Sequence, residues 1–218
     1  MKKTVLIKIL LSVAAVVGIV LILNANLLFP WQKEARKNKR AVFEYVNANY
    51  TDAKFIRAYY RTTQINLGNP GPDQFVFEQD GIRFPIFAEH GRIANDFYWK
   101  AFAEYQLYNT YIKPFEESRN ITAEFNYITS DLQRFFESNP NANISQFDGS
   151  VDFVVLLHNN DSSTNPKSLG WLYDFYCYCR ENINIPRYTV TIICKGSSTI
   201  FTNESEFENE DDFYKSFR

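Results

Sequence analysis

Hydrophobic and polar positions follow one another in patterns that predict a long apolar helix and then alternating helices and short strands. The longest apolar run covers residues 5–29 and is interrupted by one lysine, one serine and two asparagines. At 1.5 Å per residue, such a helix spans roughly 37 Å, which is enough to cross a hydrocarbon layer of ~30 Å. We therefore predict that residues 1–29 form a transmembrane signal anchor.

A cleaved secretory signal and a buried helix are the alternatives for this run. Its most apolar stretch, residues 9–23, has the length of a signal-peptide core. Cleavage requires small residues at positions −3 and −1 of the cut, and residues 23–30 contain no Ala-x-Ala sequence. Phe29 and Trp31 suit the aromatic belt at a membrane interface. The pattern favours a retained helix.

Two arguments about the orientation of this helix oppose each other. Three lysines precede or enter the run, and five cations at residues 33–40 follow it, so the charge count places the C-terminal side in the cytoplasm. However, a short tail before a first helix usually stays inside, and a long following domain translocates largely regardless of charge. We expect a single-pass protein of the plasma membrane with an extracytoplasmic C-terminal domain. In either orientation, residues 33–40 suit anionic headgroups or a solvated helix face.

The remaining pattern predicts an α+β fold of two modules, residues 30–118 and 119–218, with the second packed on the first. The first is a helix plus an antiparallel meander of three strands and the second is a β-α-β-β unit. Asp80-Gly81 lies between two apolar runs and predicts a type I′ hairpin turn, whereas Pro85 predicts an edge strand or a bulge. The predicted segments are helices over residues 30–50, 96–117, 130–136 and 168–182, and strands over 53–65, 75–79, 82–87, 121–128, 151–157, 188–195 and 199–202.

The helix predicted over residues 96–117 is apolar on more than one face. Phe97, Ala101, Tyr105, Tyr108, Ile112 and Phe115 form its stripe at helical spacing, and other aromatic residues lie off that stripe. Tyr98, Trp99 and Trp171 are therefore either core residues or aromatic anchors that face a partner.

Three segments of the first module carry a family resemblance. They are the helix Ala41-Val-Phe-Glu-Tyr-Val-Asn-Ala-Asn-Tyr50, the hairpin Phe77-Glu-Gln-Asp-Gly-Ile82 and the segment Gly91-Arg-Ile-Ala-Asn-Asp-Phe-Tyr-Trp99. Together with the apolar run, this order resembles the YfjL-like family of uncharacterised, small membrane-anchored proteins of Firmicutes over about residues 1–110. The resemblance implies a bacterial envelope protein and carries over no catalytic residues.

Charge is distributed unevenly along the chain. Residues 1–40 hold eight Lys and Arg and one acid, whereas the remainder holds 15 bases and 24 acids. Because nucleic acids require a basic surface, the acidic remainder argues against them as partners.

The sequence lacks the usual catalytic and cofactor motifs. It contains no nucleophile elbow, zinc-protease motif, phosphate loop or dinucleotide fingerprint, so we predict no cofactor and no metal site. His90 is expected at the end of a strand, and only a carboxylate such as Asp80 or Asp96 beside it would make a hydrolase site.

The three cysteines are compatible with two redox states. Cys177 and Cys179 lie two residues apart on a predicted helix, so their side chains diverge. Cys194 lies on the next predicted strand. The alternatives are a Cys177–Cys194 disulfide and buried free thiols.

Together these features predict a membrane-anchored bacterial envelope protein with a non-catalytic binding or structural role. Its expected partners are the lipid bilayer and an envelope protein or wall component. The alternatives are a membrane-bound hydrolase-type enzyme and a regulatory or assembly subunit of a membrane complex.

Overall fold

The computed structural model describes residues 14–18, 30–60, 71–119, 124–156, 170–194 and 197–218. They confirm a mixed α+β fold with antiparallel sheet pairing. The chain divides into two compact units, Met1–Phe97 and Tyr98–Arg218. The helix that begins at Tyr98 therefore belongs to the second unit, whereas the sequence pattern placed it in the first.

Most of the predicted membrane anchor lies outside the described residues. Within it only residues 14–18 are described, and they are helical. None of the helices in the described part of the chain has the length and apolar character that a membrane crossing requires.

The first unit is one helix and a four-stranded antiparallel meander with the order β1-β2-β3-β4. Asn38, Val42 and Val46 recur every four residues on the helix, and all three are buried. The elements are α1 (Pro30–Asn49), β1 (Lys54–Tyr59), β2 (Asp73–Gln79), β3 (Ile82–Glu89) and β4 (Arg92–Asp96).

Two tight turns with positive φ connect β2 to β3 and β3 to β4. Asp80 and Gly81 have φ of 53° and 78°, which confirms the predicted hairpin. His90 and Gly91 repeat this geometry with φ of 54° and 74°. The second turn adds a fourth strand, so the predicted three-stranded meander was wrong.

Pro85 lies in β3, an interior strand, so the edge-strand alternative was wrong; the pairing of β3 with β4 has a register shift between Phe87 and Ala88. Its carbonyl accepts a hydrogen bond of 3.2 Å from the Phe97 amide, just beyond the end of β4. The backbone N and O atoms of one strand residue point to the same side of the strand. The Pro85 carbonyl faces the β4 side, so the position of its missing N–H also faces that side and not β2. The ladder between β2 and β3 loses no hydrogen bond to the proline.

The second unit has a four-stranded sheet with the order β5-β6-β7-β8, in which only β6 and β7 are parallel. A helix lies between these two strands in the chain, as a parallel pair requires. The buried residues of the helices and the sheet form one hydrophobic cluster. The elements are α2 (Tyr98–Leu107), a π-helical turn (Tyr108–Ile112), α3 (Lys113–Arg119), β5 (Glu124–Ile128), α4 (Ser130–Ser138), a 3₁₀ turn (Ile144–Gln146), β6 (Ser150–Leu156), α5 (Trp171–Asn182), β7 (Arg187–Cys194), β8 (Ser197–Thr202) and α6 (Glu210–Lys215).

The π-helical turn changes which residues of the first long helix are buried. The Lys113 amide donates to the carbonyl of Tyr108, five residues earlier. Ala103, Leu107, Tyr111 and Phe115 are buried at intervals of four residues across this wider turn, and Ile112 is buried beside Tyr111. Tyr105 and Tyr108 are exposed, so the predicted stripe was wrong at these two residues.

Candidate functional site

The outer face of α1 carries the densest positive charge in the described part of the first unit. Asn38, Val42 and Val46 form its buried side, so the opposite side faces solvent. Five cations of α1 are exposed, namely Lys33, Arg36, Lys37, Lys39 and Arg40. A helix of this kind is suited to bind an anionic surface or an anionic ligand.

A cavity of about 360 Å³ opens beside this basic face. Its described lining consists of Gln32, Ala35, Arg36, Lys39 and Tyr60. The four helix residues share one face because they are spaced at i, i+3, i+4 and i+7. The Tyr60 ring packs edge-on against Phe75 of β2 with centroids 5.9 Å apart, which places the phenol on the sheet core.

Charges near the cavity differ in how far they are neutralised. The Arg40 Nε lies 2.8 Å from Glu44, and the hydrogen bond to that carboxylate raises the pKa of Arg40. The ammonium of Lys39 lies 5.6 Å from the centre of the Phe43 ring. Within the described residues, Arg36 and Lys39 form no ion pair. The cavity therefore retains two positive charges.

A buried polar network fixes α1 on the sheet below this face. The Asn38 amide nitrogen donates to the Asp73 carboxylate at 2.7 Å, and its oxygen accepts from the Gly91 amide at 2.6 Å. Asn38 and Asp73 are only 2% and 3% exposed. One side chain thus connects the helix to the start of β2 and to the turn between β3 and β4.

The residues of the hydrolase hypothesis are not brought together. Asp80 and His90 lie at opposite ends of β3, roughly 26 Å apart at ~3.3 Å per residue. Asp96 instead accepts hydrogen bonds from the Tyr45 and Tyr50 hydroxyls. The Nδ1 atom of His90 lies 3.0 Å from Glu34 and its Nε2 atom lies 3.8 Å from Glu89, so the nearest carboxylate is one that the sequence did not suggest.

Burial differs among Tyr98, Trp99 and Trp171, the three aromatic residues for which the sequence left a core position and a partner-facing position open. Tyr98 is 8% exposed, so the structure places it in the core. Trp99 and Trp171 are half-buried and pack against the hydrophobic cluster of the second unit. The centre of the Trp171 ring lies 6.4 Å from that of Phe115. Of these three residues, the two tryptophans therefore keep surface that a partner could contact.

All three cysteines are free thiols in this structure. Cys179 of α5 and Cys194 of β7 are buried, whereas Cys177, which also lies on α5, is half-buried. Burial raises the pKa of the Cys179 and Cys194 thiols. The Cys177–Cys194 disulfide stays one of the two alternatives that the sequence left open.

Several phenols and one carboxyl group of the second unit have raised pKa values. The Tyr127 and Tyr188 hydroxyls are buried without a hydrogen-bond partner in the part of the chain that the structure describes. Burial raises the pKa of Tyr188 to about 12, and it also raises the pKa of Tyr127 and Glu104. The Tyr108 hydroxyl donates to Glu116 at 2.9 Å, which raises the pKa of Tyr108. These phenols stay neutral at physiological pH.

The described residues contain no cluster of His, Cys, Asp or Glu that could hold a metal ion. No family model, curated protein or solved structure matches the chain. The resemblance to the YfjL-like family therefore stays a prediction from the sequence. Within its described residues the chain is a two-unit α+β protein, and the basic cavity beside α1 is its candidate binding site.

Proposed function

We propose that this chain is a single-pass membrane protein of the bacterial envelope with a non-catalytic binding or structural role. Residues 1–29 are its transmembrane anchor in the plasma membrane, and both α+β units lie on the extracytoplasmic side. Its partners are the lipid bilayer and an envelope protein or wall component.

The junction at residue 30 is the observation that carries this proposal. An apolar run of membrane-spanning length is followed directly by α1, whose five cations are exposed. Anionic lipids attract such juxtamembrane cations by ~1 kcal/mol each. Val16 and Val17, in the part of this run that the structure describes, are 59% and 50% exposed, and the proposal requires apolar side chains there to contact lipid.

A binding role is supported by the arrangement of the polar residues. Neither carboxylate of the hydrolase hypothesis lies beside His90: Asp80 lies at the other end of β3, and Asp96 accepts hydrogen bonds from two tyrosine hydroxyls. Trp99 and Trp171 keep partial exposure, and aromatic side chains of this type dominate many protein interfaces.

Membrane extraction tests the anchor. The full chain, expressed in a Gram-positive host, should stay in the membrane pellet after an alkaline carbonate wash. A variant that lacks residues 2–29 should leave the pellet. Release of the full chain by carbonate would contradict the proposal.

A further inference from the structure

We propose that the cavity beside α1 binds the phosphate of an anionic phospholipid in the bilayer that holds the chain. The site consists of Gln32, Ala35, Arg36, Lys39 and Tyr60. The choice of a lipid as the source of the phosphate rests on the proposed membrane anchor.

The donors of the cavity suit a phosphate diester. The Arg36 guanidinium offers a planar pair of N–H donors that matches two phosphate oxygens. Lys39 adds a compact positive charge one helical turn further on, and the Gln32 amide adds a neutral donor one turn earlier. A volume of about 360 Å³ lies within the range of small-ligand sites.

Neighbouring acids do not neutralise these two cations. Glu44 is paired with Arg40 at 2.8 Å, and Glu34 lies 3.0 Å from His90. In the described part of the chain, no carboxylate lies within ion-pair distance of Arg36 or Lys39. A monoanionic phosphodiester would therefore meet a net positive charge.

The position of the cavity along the chain favours a lipid over free phosphate. Arg36 follows the end of the apolar run by seven residues, which is roughly 10 Å along a helix and about one Debye length. Ala35 and the Tyr60 ring add apolar surface beside the two cations. Tyrosine is enriched at the level of lipid headgroups because its ring is apolar and its hydroxyl is polar.

A lipid titration with matched charge variants tests the site. The full chain in a neutral maltoside detergent is titrated with dihexanoyl-phosphatidylglycerol, dihexanoyl-phosphatidylcholine or inorganic phosphate, and the amide shifts of residues 32–39 are followed by NMR. We expect saturable binding of the phosphatidylglycerol. The double variant Arg36→Gln/Lys39→Gln should weaken it about 30-fold, since each cation near an anionic lipid contributes about fivefold.

The control variant is Lys54→Gln/Arg92→Gln, which removes two exposed cations from strands of the same unit. It has the same net charge as the test variant and should bind within twofold of the unaltered chain. Arg36→Lys should lie between the two, because it keeps the charge and loses the paired donors. Unchanged melting temperatures show that the variants remain folded.

Three results would overturn the lipid site. They are equal weakening by the test and control variants, inorganic phosphate that binds as tightly as phosphatidylglycerol, and phosphatidylcholine that binds as tightly. None of them depends on membrane anchoring, which the carbonate wash measures separately. A chain that resists carbonate but shows any of these results refutes the lipid site alone.

Discussion

Replacing Asn38 by alanine is expected to loosen the first unit more than any exposed substitution on the same helix. The Asn38 side chain makes two short hydrogen bonds, one to the buried Asp73 carboxylate and one from the half-buried Gly91 amide. Alanine removes both bonds. Water could replace them only if the contact between α1 and the sheet opened. Asp73 would lose a donor while it remains only 3% exposed.

The size of the effect follows from the two bonds. A hydrogen bond to a charged group contributes ~1.5–3 kcal/mol, and one between neutral groups contributes ~0.5–1.5 kcal/mol. The expected cost of Asn38→Ala is therefore about 2–4 kcal/mol. A unit of about 70 residues has a total stability of roughly 3–10 kcal/mol, so about a fifth or more of it is lost.

Hydrogen exchange measures this loss within the first unit. The amides of β2 and β3 should exchange about 30- to 800-fold faster in the variant, which is the rate change that 2–4 kcal/mol corresponds to at ~1.4 kcal/mol per factor of ten. Asn47→Ala is the matched control, because Asn47 lies on the same helix and is exposed. The control should change these rates less than threefold. Equal acceleration by both variants would refute the role assigned to Asn38.

Asn38→Asp adds a pH signature to the same test. It places a second carboxylate at hydrogen-bond distance from a buried carboxylate, and of two carboxylates that share a site one has a pKa raised above the value of ~4 in the unfolded chain. The folded state then binds protons more tightly than the unfolded state. The variant should therefore be destabilised at pH 7 and regain stability as the pH falls through the raised pKa. A pH dependence like that of the unaltered chain would contradict this reasoning.

Three further predictions concern single sites. Gly81→Ala places a Cβ atom at φ of 78° and should cost about 1–2 kcal/mol, measured as a lower melting temperature; an unchanged value would contradict the turn geometry. Phe175→Ala should cost about 3–5 kcal/mol in urea unfolding of the second unit, because the ring is fully buried and lies 5.0 Å from that of Phe115; a loss below 1 kcal/mol would contradict this packing. Iodoacetamide should label Cys177 of the reduced chain first, and buried Cys179 only on unfolding, as judged by mass spectrometry; early labelling of Cys179 would contradict its burial.

Local patterns predicted much of the fold. The helix from Pro30 and the hairpin at Asp80-Gly81 depend on nearby residues, so the sequence alone predicted both. Strand β4 was missed because Arg92–Asp96 is short, mostly polar and half exposed, and it has no alternating apolar positions. Only the turn at His90-Gly91 and pairing with β3 make this segment a strand.

The shifted stripe of the first long helix has a different cause. A regular period of 3.6 residues cannot describe a helix that contains a π-helical turn. Pro114 was the available signal, because a proline inside a helix removes one amide donor and crowds the carbonyl four residues earlier. The wider turn just before this proline shifts burial from Tyr108 to Tyr111.

Only the helix residues of the candidate site could be predicted from the sequence. The basic run of residues 33–40 indicated a charged helix face, and the spacing of Gln32, Arg36 and Lys39 places them together. Tyr60 joins them through the tertiary packing of its ring on Phe75. No pattern in the sequence indicated that contact.

Protease accessibility of a C-terminal epitope on intact protoplasts tests the central claim most directly. The account predicts that the epitope sediments with the protoplasts and is removed by protease without lysis. An epitope that resists protease until lysis would place the two units in the cytoplasm. An epitope that is found in the medium would show that residues 1–29 are cleaved, and either result would contradict the proposed anchored, extracytoplasmic protein.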